Sequence, residues 1–308
     1  MSGTLVTGGA GSLGREIVRQ IWTRNPTERI VIYSRDEGKQ AAMEQEIPEG
    51  GPVGPRYMLG DIGDTDRLVR AMQSCDRVVH AAAQKMIDSC EYDTWAAIQT
   101  NVDGTVSVAK ACLRAGVSRA VFVSSDKAPH SCSTYGHTKA LGEDAWIHGN
   151  LLGDCKFFCV RYGNVIGSAK SVFHAWRRLA EQGTPLPVSH PDATRFYWTV
   201  AEAAQFCRDR LNDGKRGCVY VPRMKSYKMM DIARTYSSNI TISGWRCPEK
   251  LHEQLWTDHE TTYTRSLGDY YCIYPETHPW CVDLEMPGTV VDRPLTSSDN
   301  PSSEWTMT

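Results

Sequence analysis

Six short apolar runs rich in β-branched and aromatic residues punctuate the first half of the chain. They are Thr4-Leu5-Val6-Thr7, Arg29-Ile30-Val31-Ile32-Tyr33, Arg56-Tyr57-Met58-Leu59, Arg77-Val78-Val79-His80, Ala120-Val121-Phe122-Val123 and Phe157-Phe158-Cys159-Val160. Between them apolar residues recur at helical spacing, as at Val102, Val106, Ala109 and Leu113. Strands apolar on both faces, alternating with amphipathic helices, predict an α/β chain with a Rossmann-type, doubly wound parallel sheet. After about Arg161 the rhythm shifts to Gly/Pro-punctuated segments, helices and isolated short strands such as Cys218-Val219-Tyr220-Val221. The expected organisation is a nucleotide-binding domain over 1–161 and a smaller, mainly ligand-binding region over 162–282, some of whose elements return to the sheet. From 283 to 308 Pro, Ser, Asp and Thr dominate without periodicity, which predicts a poorly ordered tail.

A length of 308 residues suffices for a large core, and a net charge of -2 leaves no electrostatic footprint for nucleic acid. No run of about 18 apolar residues occurs, and the N-terminus enters Leu5-Val6-Thr7 without a basic leader, so a soluble, cytoplasmic protein with no membrane span is expected. The 11 cysteines form no CxxC pair and read as reduced packing thiols, and no metal site is expected. His80 closes an apolar run and reads as a core histidine.

Thr7-Gly8-Gly9-Ala10-Gly11-Ser12-Leu13-Gly14 follows the first run and opens a helix containing Ile17, Val18 and Ile21. Gly8, Gly11 and Gly14 have the spacing of a dinucleotide turn, in which the backbone, with Ser12 and Leu13, approaches a pyrophosphate at the helix N-terminus. At the end of the second strand Ser34 and Arg35 precede Asp36 and Glu37. An Arg there suits the 2′-phosphate of NADP, while the acids keep NAD open as an alternative. Asp61 and Ile62 stand where an adenine would be touched, and Ala81 and Ala82 would let the backbone pass close to the cofactor.

The densest chemistry lies in Ser124-Ser125-Asp126-Lys127 and Tyr135-Gly136-His137-Thr138-Lys139. Tyr135 and Lys139, four residues apart, share a helix face and suit oxidation of a hydroxyl. Asp126 and Lys127 put a carboxyl and an amine at one centre, fit to remove a carbon-bound proton and expel a hydroxyl. The bland alternative is a surface ion pair.

With these motifs, and with Val160-Arg161-Tyr162-Gly163-Asn164-Val165, Thr194-Arg195-Phe196 and Glu249-Lys250-Leu251-His252-Glu253, the chain resembles the extended short-chain dehydrogenases/reductases. Within them it is similar to the UDP-N-acetylglucosamine 4,6-dehydratases of pseudaminic-acid and capsular-sugar pathways. The resemblance spans residues 4–282. It implies NADP as cofactor, UDP-N-acetylglucosamine as substrate and a homo-oligomer. Tyr135 would act as a phenolate activated by Lys139 and the nicotinamide, with Ser125 bonding the reacting oxygen. Lys127 would serve as a neutral amine base at C5 and Asp126 as a protonated acid for the C6 hydroxyl. Lys85 and Asn164 would lie in the substrate region and Lys85 also near the cofactor. Arg195 would fork onto the diphosphate, with Arg246 and Lys250 as weaker candidates that a solvated basic loop explains nearly as well. The presence of Tyr135 favours inversion at C5. A retaining dehydratase, a nucleotide-sugar 4-epimerase that leaves Asp126 and Lys127 idle, and a non-catalytic nucleotide sensor are the alternatives. Gly167-Ser168-Ala169-Lys170 and Pro129-His130-Ser131-Cys132-Ser133 depart from the family pattern and bear on substrate identity.

Overall fold

The computed structural model describes residues 3–47, 54–167, 171–245, 248–275, 285–299 and 301–302. Strands β1 (Gly3–Thr7), β2 (Arg29–Ser34), β3 (Arg56–Leu59), β4 (Arg77–His80), β5 (Arg119–Val123) and β6 (Lys156–Val160) are parallel and stand in the order β3-β2-β1-β4-β5-β6. The connecting helices are α1 (Ser12–Arg24), α2 (Glu37–Glu46), α3 (Thr65–Ala71), α4 (Ile87–Tyr92), α5 (Thr94–Ile98), α6 (Gly104–Ala115) and α7 (Thr134–His148). Because side chains alternate across a strand, the apolar runs feed two cores. Leu5, Val78, Ala120, Phe122 and Phe157 pack on one face with α3, α6 and α7. Val6, Val79, Val121 and Phe158 pack on the other with α1 and α2. Each fully buried aliphatic or Phe side chain contributes about 1.5–3 kcal/mol. The winding reverses between β1 and β4, and at their carboxyl ends such a sheet leaves its ligand crevice.

The second half comprises β7 (Asn164–Ile166), α8 (Val172–Glu181), β8 (Leu186–Val188), β9 (Thr194–Thr199), α9 (Val200–Asp213), β10 (Val219–Pro222), β11 (Lys225–Lys228), α10 (Met229–Tyr236), β12 (Ile240–Ile242), α11 (Asp258–Thr261), β13 (Thr264–Ser266), β14 (Tyr270–Ile273) and β15 (Thr289–Val290). Some of it returns to the main sheet, which continues past β6 through β10, β14, β13 and β15. The rest forms a cap of two small sheets, β11-β9-β7 and β12-β8, over a separate core of Phe173, Trp176, Leu186, Tyr197 and Ile232. Arg161 ties the halves together: its guanidinium donates to Glu143 of α7 at 3.0 and 2.5 Å and to Glu260 of α11 at 3.0 and 2.8 Å.

Parts of the segment beyond 282, expected as a poorly ordered tail, pack back on the chain. β15 pairs with β13, and Ser297 is fully buried, bonded to Thr194 and to the backbone of Glu253. Backbone and hydroxyl hydrogen bonds secure this stretch more than apolar burial does, and composition does not register them. Nine cysteines are described and all are unpaired, with only Cys132 exposed among them. His80 is fully buried between Thr7 and Thr105 hydroxyls, and burial pushes it down to about 3. Among the described residues no helix is long and apolar enough to cross a membrane.

Candidate active site

A cleft of 1560 Å³ opens over the switch point, walled by both halves of the chain. Of the residues nominated from sequence, all but two line it. Asp126 is fully buried behind the wall, and Arg246 falls outside the described residues. Gly8, Gly11, Ser12, Leu13 and Gly14 form the floor beside Ala81 and Ala82, and Ser34, Arg35, Asp61 and Ile62 form one end. Ser125, Lys127, Tyr135 and Lys139 stand in the middle with Lys85, facing Asn164, Arg195 and Lys250.

The floor fits a dinucleotide. Gly8 has φ +66°, and a Cβ there would lie 2.8 Å from the Ala82 amide, so only glycine lets the turn bend and press against the end of β4. Gly11 caps α1 with no side-chain hydrogen bond, which leaves first-turn amides to an anion. At the far end Asp36 is committed: it caps α2 through the Lys39 amide at 3.0 Å and pairs with the Lys39 ammonium at 2.6 Å. Arg35 is mostly exposed, 3.7 Å from Asp61.

Local folding brings the candidate groups together. The loop after β5 is stitched to the segment after β6, Ser124 N–H donating to the Val160 carbonyl at 2.7 Å and Asp126 N–H to that of Tyr162 at 2.9 Å. Ser133 caps α7 through the Gly136 amide at 3.0 Å. Gly136 itself lies against the Lys127 carbonyl, where a Cβ would collide. That close approach sets Tyr135 beside Ser125 and Lys127. Lys127 Nζ donates to Asp126 Oδ1 at 2.8 Å and to Asn164 Oδ1 at 3.4 Å, and lies 3.5 Å from Glu253 Oε1. Ser125 donates to the same Asp126 oxygen at 3.1 Å, whereas the buried Oδ2 has no partner among the described residues. Asn101, on a π-helical turn, clamps the Gln84 backbone and the Thr138 hydroxyl.

These surroundings set the protons. Burial pushes Asp126 upward, helped by the Glu253 charge and opposed by Lys127. Burial works against the Lys127 charge, but Asp126 and Glu253 outweigh it and hold the amine above its ordinary value. Together they favour the ammonium form of Lys127, whereas a base at C5 requires the amine. Burial pushes Tyr135 up to about 12, and the effects favouring its phenolate are the Lys127 charge and its contact with the Ser125 hydroxyl. Lys139, expected to supply that activation, instead donates to the Val123 carbonyl at 2.6 Å, lies over the Phe122 ring at 3.8 Å, and is brought down by burial to about 7.

Glu253 and Glu249 are site residues the sequence reading passed over. Glu253, nearly fully buried, faces Lys127, Arg195 at 3.9 Å and Lys250 at 3.5 Å, and these three cations hold its carboxyl below the usual range against the pull of burial. Glu249 pairs with Arg195 at 2.8 Å. In sequence the segment Glu249-Lys250-Leu251-His252-Glu253 offers Lys250 as a cation for phosphate, and no spacing signal marks its two glutamates.

A dinucleotide turn at the switch point, with Tyr135 and Lys139 one helical turn apart over it, is the arrangement of an extended short-chain dehydrogenase/reductase. The chain belongs to the polysaccharide biosynthesis protein family, whose sequence pattern matches residues 4–275. It is 34% identical over 277 residues to a UDP-N-acetylglucosamine 4,6-dehydratase (inverting) of Campylobacter jejuni, covering 88% of this chain and 82% of that protein. A UDP-glucose 4-epimerase of Rickettsia canadensis is 30% identical, covering 87% and 82%. Among solved structures, Pen from Bacillus thuringiensis superposes with a TM-score of 0.89 at 27% identity over 98% of this chain and 94% of that one.

Proposed function

We propose that this chain is an NADP-dependent UDP-N-acetylglucosamine 4,6-dehydratase that inverts C5, giving UDP-2-acetamido-2,6-dideoxy-β-L-arabino-hex-4-ulose. The observation that carries this reading is the buried Asp126–Lys127 pair beside Tyr135 in one cleft, on a chain similar to an inverting dehydratase. A bound nicotinamide dinucleotide supplies the hydride acceptor for C4 and later the donor for C6. Tyr135 takes the O4 proton, with Ser125 bonding the oxygen. The C4 ketone acidifies C5–H; Lys127 in its amine form takes that proton, and Asp126 gives its own to the C6 oxygen, which leaves as water. Reprotonation from the opposite face inverts C5. Lys139 holds the cofactor ribose, and Arg195 and Lys250 hold the diphosphate.

NADP is favoured over NAD because Asp36, the nearest acid for a ribose 2′-hydroxyl, is occupied by α2 and Lys39, while Arg35 faces solvent at the cleft end. The described cysteines, all unpaired, suit a reducing cytoplasm. Exposed Tyr92, Trp95 and Leu141 on α4, α5 and α7 support a homo-oligomer. The test is a time course by NMR in deuterated water with UDP-N-acetylglucosamine. The expected product is a 4-keto-6-deoxy sugar carrying deuterium at inverted C5, absent with Tyr135→Phe. A C4 epimer formed without loss of water overturns the reading in favour of a 4-epimerase, the activity named for the Rickettsia relative.

A further inference from the structure

The last described residues form a strap. Residues 295–297 run antiparallel beside 253–255: Leu255 N–H donates to the Leu295 carbonyl at 3.1 Å, Gln254 bridges Thr296, and Ser297 N–H donates to the Glu253 carbonyl at 2.8 Å. Asp299 closes the turn that follows, its carboxylate accepting from Thr296 N–H at 2.8 Å and its own N–H donating to the Thr296 carbonyl at 2.9 Å. Further along, Ser302 N–H donates to the Ser226 carbonyl of β11 at 2.7 Å. The strap thus joins the 253–255 segment to the cap sheet β11-β9-β7.

At its centre Ser297 is fully buried, and its hydroxyl uses its whole hydrogen-bonding capacity. It accepts from Glu253 N–H at 2.9 Å, pairs with the Thr194 hydroxyl at 2.7 Å and donates to the Thr194 carbonyl at 3.1 Å. The same carbonyl accepts from Arg195 Nη1 at 2.7 Å. Nη1 also donates to the Leu251 carbonyl at 3.1 Å, which accepts in turn from Thr194 N–H at 3.1 Å. The guanidinium is therefore seated between two backbone carbonyls, and Ser297 ties together the two segments that carry them. Lys250 lies on the second of those segments, its Nζ donating to the Pro129 carbonyl at 2.8 Å. Arg195 and Lys250 both line the cleft. Two long cationic side chains on loose segments would lose much freedom on gripping an anion, and that loss weakens binding; here the ordering is done in advance. The dinucleotide floor is built elsewhere, from the turn after β1 and the ends of β2 and β4.

We propose that Ser297 is a positioning residue for a nucleoside diphosphate: through its hydroxyl the strap presets Arg195 and Lys250, and so governs the affinity for substrate and not that for cofactor. Ser297 acts through Thr194 and the 249–253 segment and touches no reacting atom. The role rests on the proposed assignment of Arg195 and Lys250 to the diphosphate.

The test separates the two ligands. The full chain is titrated with UDP and, separately, with NADP by calorimetry, and KM and kcat are measured with UDP-N-acetylglucosamine. Ser297→Ala is expected to weaken UDP about 10-fold, the scale of a lost hydrogen bond, with NADP affinity within about 2-fold of wild type. KM rises with the UDP loss while kcat stays within about 3-fold, as for a group that acts on binding and not on the chemical step. Thr194→Val, which removes the hydroxyl at nearly constant shape, gives the same selective loss, and Thr194→Ser, which keeps it, restores UDP affinity. Asp299→Ala loosens the turn from its rim, gives a smaller loss of the same kind, and decides the matter if Ser297→Ala does not fold. Undiminished UDP affinity in these variants, or equal losses for UDP and NADP, overturns the role of Ser297 alone. Arg195→Gln checks the reading beneath it and is expected to cost UDP at least about 10-fold. Full UDP affinity in Arg195→Gln removes Arg195 from the diphosphate, and this inference with it.

Discussion

Two buried charge clusters, one around Arg161 and one around Lys127, are built differently. Around Arg161 every arm of the guanidinium has a partner: two oxygens of Glu143, two of Glu260 and the Leu255 carbonyl at 3.1 Å. Around Lys127 the partners are looser, and oxygens of Asp126 and Glu253 are buried with no hydrogen bond among the described residues. The first cluster is closed and joins α7 to α11. The second faces a cleft and holds unspent capacity for a ligand or a proton. Similar residue types thus serve as a fastening where hydrogen bonding is complete and leave buried capacity open to a ligand or a proton where it is not.

Substitution should separate the clusters. Lys127→Met is expected to lower turnover about 1000-fold, since a proton-transfer group is lost, while UDP binding survives. Steady-state kinetics beside UDP calorimetry checks this, and activity within 10-fold of wild type would place Lys127 outside the chemistry. Arg161→Ala strands Glu143 in the interior and should cost about 3–5 kcal/mol of stability, read by urea denaturation. A loss under 1 kcal/mol would mean the closed cluster is no fastening.

Lys139 sharpens the contrast from a third position, a buried amine bonded to a carbonyl and set over a ring face. A free lysine titrates near 10.4 and Lys139 near 7, so between those values the unfolded chain binds the extra proton and stability rises with pH. Lys139→Met should remove that contribution, on the order of 1–2 kcal/mol from pH 7 to 9. The window stops short of the range where Tyr135, pushed up to about 12, acts in the opposite sense. Identical pH slopes in variant and wild type would show that Lys139 is not desolvated as described.

Much of this molecule was legible in one dimension. Period-two runs such as Val78-Val79 and Ala120-Val121-Phe122 already assign residues to two sheet faces, and a glycine trio after a strand already marks a dinucleotide turn, because both depend on neighbours within a few residues. The Tyr135–Lys139 spacing and the Asp126–Lys127 dipeptide are local in the same sense. What spacing could not carry was the state of those groups. Lys127 is held toward its charged form by Asp126 next to it and also by Glu253, which arrives beside it from 126 positions away, and Lys139 turns to Val123 because β5 ends there. The seat of Ser297 against Thr194 is likewise invisible in a polar, Pro-rich stretch. Local sequence specifies backbone and residue type; the protonation and partners of a buried group depend on distance in space, to which chain separation gives no measure until the fold is closed.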